Sequence, residues 1–122
     1  MDETAAIDAF AALSQDTRLA ALRLLVTAGP AGLPAGDVAR ALAVPHNTLS
    51  THLAVLTRAG LVQSRRESRS VIYRADFTGL RSLIDFLLRD CCRGAPDLCI
   101  PLLDAALPAA CGAAVATRRT PT

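Results

Sequence analysis

Residues 43–62 read AVPHNTLSTHLAVLTRAGLV, and the reading of this stretch decides the fold. Leu49, Leu53 and Leu56 recur at spacings of four and three, the mark of one buried helical face, while Asn47, Thr48, Ser50 and Thr51 fall largely on the other side. Gly60 stops the run, so the pattern predicts a helix over residues 46–59. Upstream, Leu33-Pro34 leads into residues 35–42, where Pro34 suits a first helical turn and Val38 with Leu42 can face a core. Two short helices joined by the tight Ala43-Val44-Pro45 turn make a helix-turn-helix.

Outward from this unit, Ile7, Phe10, Ala11 and Ser14 lie at helical spacing and predict a first helix over residues 4–12. A second runs over residues 16–28, with Leu19, Leu22, Arg23 and Val26 separating into apolar and charged faces before Gly29-Pro30. On the other side, Leu61-Val62 opens a strand, residues 63–70 are polar and arginine-rich, and Val71-Ile72-Tyr73 resumes β-favouring composition: a two-stranded hairpin, or wing. Leu80, Leu83, Ile84, Leu87 and Leu88 then mark a strongly apolar helix ending near Cys91-Cys92. Such a stripe in a small protein predicts a homodimer surface, joined by Ile7 or Phe10. A short helix is expected over residues 100–107. The fold class is mostly α with a β-hairpin wing, a winged helix-turn-helix. Residues 1–108 are expected to form one domain for DNA binding, dimerisation and the cysteine site, and residues 109–122 a flexible tail.

With 122 residues and 52% hydrophobic composition, the chain suits one domain with a small core. The net charge is only +2, but Arg40, Arg58, Arg65, Arg66, Arg69 and Arg74 meet Glu67 as their one acidic neighbour in that stretch, which favours an anionic partner. An α-helix fits the major groove of B-form DNA. His46, Asn47, Thr48, Ser50 and Thr51 offer short donors and acceptors to base edges or phosphates. Arg65, Arg66 and Arg69 suit phosphates or the minor groove, with double-stranded DNA as the implied partner. His52 is assigned a hydrogen-bonded structural role.

No terminal apolar run is long enough to span a bilayer, and the acidic Met1-Asp2-Glu3 lacks the positive region of a secretory signal, so a cytoplasmic location is expected. Catalysis is disfavoured. Ser50 and His52 are two positions apart on a helix and point to different faces, Cys91 has no His–Asp relay, and no phosphate-binding loop is present.

Cys91, Cys92 and Cys99 place three soft thiols in one short segment, while Cys111 lies apart. Three converging thiolates without histidine suit pyramidal As(III) or Sb(III), which needs no fourth ligand. Gly94 and Pro96 break the helix, as a converging site requires. Other readings remain open: a methylated trivalent arsenic species held by Cys91 and Cys92 alone, a four-cysteine zinc site that includes Cys111, a thiol-redox regulator, or an arsenic-sequestering protein without regulatory output.

The segment from Ala43 to Val62, with its Ser-x-His-Leu core at Ser50–Leu53 and its Ala-Gly-Leu-Val exit, resembles the ArsR family of bacterial metalloregulators. Arg66–Tyr73 looks like the family's wing, and Leu13-Ser14-Gln15-Asp16-Thr17-Arg18-Leu19 like its opening. The resemblance covers roughly residues 6–90. It implies a winged-helix homodimer that represses an operon until a metal or metalloid weakens operator binding. One departure is clear: the best-known arsenic sensors of the family carry Cys-x-Cys on the helix before the reading helix, where this chain has Asp37-Val38-Ala39-Arg40-Ala41. The cysteines after the apolar helix resemble instead the arrangement of relatives whose inducer site lies at the end of the C-terminal dimer helix. The resemblance thus implies a repressor induced by As(III), with Sb(III) as a second inducer.

Overall fold

The computed structural model describes residues 1–91, with side chains as far as residue 89. Its elements run α1 (Glu3–Leu13), α2 (Asp16–Ala28), β1 (Leu33–Pro34), α3 (Ala35–Leu42), α4 (His46–Arg58), β2 (Val62–Glu67), β3 (Ser70–Ala75) and α5 (Phe77–Cys91). Met1–Phe86 pack as one unit, and Leu87–Thr122 belong to a second, of which the end of α5 is described. The predicted helix over residues 100–107, the boundary after residue 108 and the tail over 109–122 lie outside the described residues.

Helices α1 and α2 begin where side chains can satisfy their first amides. Asp2 caps α1, its Oδ1 accepting from Ala5 N at 2.8 Å, and Gln15 caps α2 through Arg18 N at 2.8 Å. The face that α1 buries is not its bulky one: Ala6, Ala9 and Ala12 are inside, whereas Ile7 and Phe10 are exposed. Alanines let the backbone of a neighbour approach closely, and the larger side chains are left for an outer surface. In α2 the inward residues are Ala21, Leu22 and Leu25, while Leu19 and Val26, which the sequence groups with the apolar face, are exposed.

The turn between α3 and α4 is built from the end of α3. Ala43 takes a left-handed φ of 55°, its N–H donates to Arg40 O, and Val44 N–H donates to Ala39 O, the paired bonds of a Schellman ending. Pro45 then precedes α4 in extended conformation, with no side-chain cap. Leu49, Leu53 and Leu56 of α4 are fully buried with Leu25, Val38, Leu61 and Val62. Each is worth about 1.5–3 kcal/mol against exposure.

The sheet has three strands in the order β1-β3-β2, all antiparallel. Pro34, expected in the first turn of α3, instead pairs opposite Ile72 in β1 and serves as the N-cap of α3. Strand β1 has only two residues, too few to show alternation, and proline suits an edge strand because it has no N–H to leave unpaired. Strand β2 carries its ladder through the arginine-rich stretch to Glu67, and Ser68-Arg69 turn the chain, with Ser68 at a φ of 55°.

Asp76 caps the start of α5, its Oδ1 accepting from Gly79 N at 2.9 Å. Gly79 sits backbone to backbone against Gly60, and a Cβ there would come within 1.9 Å of the Gly60 carbonyl oxygen. The first turn of α5 is thereby seated on the junction between α4 and β2. Leu83, expected on a dimer surface, is only 5% exposed and belongs to the chain's own core, with Leu80 packed against it. Ile84 and Leu87 are exposed, at 49% and 44%. No described helix is long and apolar enough to cross a membrane.

Candidate nucleic-acid interface

Burying one side of α4 dictates what its other side shows. With Leu49, Leu53 and Leu56 inside, His46, Asn47, Thr48 and Thr51 are exposed, and Ser50 is half-buried on the flank. Two of these polar side chains engage their own helix: Asn47 Oδ1 accepts from Thr48 N at 2.9 Å, and Thr51 Oγ1 donates to Asn47 O at 3.3 Å. Both bonds are local and exposed, so they can exchange for bonds to another polar surface at little cost. The helix presents short hydrogen-bonding groups over about its first two turns, supported from behind by leucines.

Adjacent arginines in the wing do not share a fate. Side chains of a strand alternate between faces, so Arg65 and Arg66 point to opposite sides of the hairpin. Arg65 lies on the face of Gln63 and Glu67. Its Nε donates to Glu67 Oε2 at 2.5 Å, and its Nη2 donates to the carbonyl oxygen of Ala31 at 3.0 Å, in the loop before β1. This guanidinium therefore ties the wing to the body. Arg66, opposite Val71, and Arg69 in the turn are exposed and make no side-chain hydrogen bond or ion pair among the described residues. They are the wing cations left for an anionic partner.

The wing base is fixed by a polar chain. Arg74, opposite Gln63 in the register, donates to Gln63 Oε1, and Gln63 Nε2 donates to Asp76 Oδ2 at 3.0 Å. Because Asp76 also caps α5, the pitch of the wing and the start of α5 share one carboxylate. Arg40, counted among the basic residues, pairs with Asp37 one turn away on α3.

Between the wing and the helix-turn-helix lies an open cleft of about 240 Å³, lined by Pro34, Ala35, Gly36, His46, Arg69, Ser70 and Val71. It brings His46 of the reading helix and Arg69 of the wing turn to one groove, although 23 positions separate them in sequence. His52 has its partner on α2: Arg18 Nη1 lies 3.2 Å from His52 Nδ1. Sequence reasoning missed Arg18, Gln63 and Asp76. Only the Asp76 cap had a local signal, an aspartate before a helical run.

The side chains of Cys91, Cys92 and Cys99 lie outside the described residues, as does Cys111. Helix α5 remains helical as far as Cys91. Among the described residues no cluster of histidine, cysteine, aspartate or glutamate could hold a metal ion.

Comparison with known proteins agrees with this geometry. A helix-turn-helix domain model matches residues 13–65, from the end of α1 into the wing. The transcriptional activator HlyU of Vibrio cholerae is 36% identical over 61 residues, which are 50% of this chain and 56% of that protein. The match thus spans little more than half the length of this curated relative. An ArsR-like transcriptional regulator from Rhodococcus sp. RHA1 superposes with a TM-score of 0.66 at 31% identity, covering 80% of this chain and 89% of that one. A crystal structure described as a possible transcriptional regulator for arsenical resistance gives 33% identity and a TM-score of 0.57, covering 66% of this chain and 84% of that one.

Proposed function

We propose that this chain, which belongs to the ArsR family of transcriptional regulators, is a homodimeric repressor that binds double-stranded operator DNA and releases it when As(III), or Sb(III), is captured by Cys91, Cys92 and Cys99. The observation that carries the DNA half is the division of α4 into a buried leucine face and an exposed face of His46, Asn47, Thr48 and Thr51, flanked by Arg66 and Arg69. In this reading Asn47 and Thr51 take base edges while the wing arginines and His46 take phosphates on either side of the cleft. Ser50, half-buried, contacts backbone rather than bases. The exposed Ile7, Phe10 and Ile84 belong to the surface that a second copy covers.

The inducer half rests on the donor set. Three thiols in one segment, none of them on α3, fit a trigonal site at the end of α5, and no fourth ligand is needed. Closing Cys91 and Cys92 toward Cys99 changes how α5 ends, and a rearrangement of α5 changes the spacing of two reading heads in a dimer. Coupling on the order of 1–3 kcal/mol suffices for roughly 5–150-fold weaker DNA binding.

The test begins by selecting a duplex from a random pool with the purified protein and then titrating arsenite into the complex. Release of DNA by arsenite, abolished in each of Cys91→Ser, Cys92→Ser and Cys99→Ser, is the expected result. Selective DNA binding that arsenite leaves untouched would retain the regulator and remove the arsenic inducer. If Cys99→Ser loses the arsenite response but keeps one to a methylated trivalent arsenic species, the adjacent pair is the sensor. Failure to select any duplex removes the regulator reading and leaves sequestration.

A further inference from the structure

Helix α4 is held mainly by contacts without directional preference. Its leucines bury area, which decides which face of the helix turns inward but leaves the last few degrees of roll to directional bonds. Its N-cap, Pro45, supplies no side-chain bond, and the hydroxyls of Thr51 and Thr57 bond back to carbonyls of α4 itself. Among the described residues a single side-chain hydrogen bond reaches α4 from another element, the contact of Arg18 Nη1 with His52 Nδ1 at 3.2 Å.

Arginine has donors and no acceptor, so His52 Nδ1 accepts and the imidazole carries its proton on Nε2. The guanidinium is itself held. Its Nε donates to the carbonyl oxygen of Ala12 at 2.6 Å, at the C-terminal end of α1, where the last carbonyls of a helix have no partner within it. Arg18 is fixed at its own root too, since Gln15 caps the first turn of α2 through Arg18 N. One rigid, planar fork thus joins the end of α1, the start of α2 and the middle of α4. Its two acceptors lie on different helices, a geometry that the single ammonium of lysine cannot reproduce.

We infer that Arg18 is a positioning residue for DNA reading: through His52 it sets the rotation of α4, and through Ala12 it ties that setting to α1. His52 is half-buried on the flank of α4, one position from the exposed Thr51, so a change of roll at His52 displaces the groups offered to bases. Because α1 also carries the exposed Ile7 and Phe10, the same fork connects the rotation of the reading helix to whatever packs on α1. This inference rests on the DNA-binding reading above.

Wild-type protein and the variants Arg18→Met, Arg18→Lys, His52→Leu and His52→Gln, with the double variant Arg18→Met/His52→Leu, are compared on the selected duplex and on its scrambled sequence at several salt concentrations. Thermal melting identifies the folded variants. The expected result is a loss of about 5–10-fold in discrimination for Arg18→Met and His52→Leu, a double variant no worse than either single, and near-complete retention in His52→Gln, whose amide oxygen can accept from Arg18. The salt slope should not change, because no phosphate contact is removed. If Arg18→Met does not fold, Arg18→Lys stands in for it, with the same expected loss.

Unchanged discrimination in the folded variants, or losses that simply add, overturn the inference. A salt slope reduced by about one in Arg18→Met also overturns it, by making Arg18 a phosphate contact. A DNA-free readout separates this from failure of the parent reading. The imidazole ¹⁵N shifts of His52 in wild-type protein should show an unprotonated Nδ1, and they should move in Arg18→Lys; unchanged shifts refute the contact. Wild-type protein that selects no duplex refutes the DNA reading itself, whatever His52 reports.

Discussion

The helix-turn-helix and the wing offer DNA comparable polar surfaces, yet they are anchored by opposite means. Behind α4 stand Leu49, Leu53 and Leu56, all fully buried, whereas the wing beyond its base is largely exposed and is held by its backbone ladder and by side-chain bonds such as those of Arg65 and Arg74. Apolar anchoring is strong and selects the buried face but sets fine orientation loosely, and polar anchoring is weak but directional. Substitutions in the first region should therefore change the stability of the whole unit. Those in the second should change geometry at little cost in stability.

Leu53→Ala gives the largest effect that this contrast predicts. Removing a fully buried leucine side chain should destabilise by about 3–4 kcal/mol, from lost transfer energy plus the cavity. Urea denaturation at fixed protein concentration measures it. A cost below about 1 kcal/mol would mean that α4 is not anchored as described.

Next is Asp76→Ala at the wing base. It removes the cap of α5 and the acceptor of Gln63 together, and loss of the cap alone costs about 1 kcal/mol. The contrast sharpens if hydrogen exchange of the β2–β3 amides rises more than that of α4. Equal acceleration in both regions would show that the wing has no independent anchoring.

Each region also holds one non-glycine residue at positive φ, Ala43 in the turn before α4 and Ser68 at the wing tip. Glycine relieves the clash of Cβ with the backbone, so Ala43→Gly and Ser68→Gly should each stabilise locally, by about 0.5–1 kcal/mol. Only Ala43→Gly should raise the global denaturation midpoint clearly. It lies between two core helices, whereas the wing tip can open without unfolding the unit.

Arg65→Ala is the smallest, at about 0.5 kcal/mol or less, because its ion pair with Glu67 is exposed. On DNA it should lower the salt slope less than Arg66→Ala or Arg69→Ala, each of which should lower it by about one. Equal slopes for Arg65→Ala and Arg66→Ala would show that the bond to Ala31 yields on binding.

The helical part of the molecule was largely legible in the sequence. Helices α2 and α3 have the bounds that their spacing and glycine or proline stops predict, and the exposed face of α4 follows once Leu49, Leu53 and Leu56 are assigned to the core. The winged helix-turn-helix class follows from the same periodicity with the hairpin. The errors cluster where only through-space partners decide. Two residues of β1 carry no period, and Leu83 reads as part of an outward stripe until the close seating of Gly79 on Gly60 shows which side of α5 turns inward. In α1 the buried face is made of alanines, which the sequence reading did not single out.

What the sequence determined by itself is what depends on chain-local chemistry: the helical periods and their stops, the polar composition of the reading helix, and the presence of the thiols of Cys91, Cys92 and Cys99 in one segment. The assignment of charged groups was left to the tertiary structure. Arg65 and Arg66 are neighbours in sequence but lie on opposite faces of a strand, and one is fastened to Ala31 while the other is left for a partner. Arg18 and His52 are 34 positions apart, and no local pattern foretells their 3.2 Å contact. A guanidinium finds its acceptors by distance and angle through space, and those are fixed only when the helices that carry them have packed.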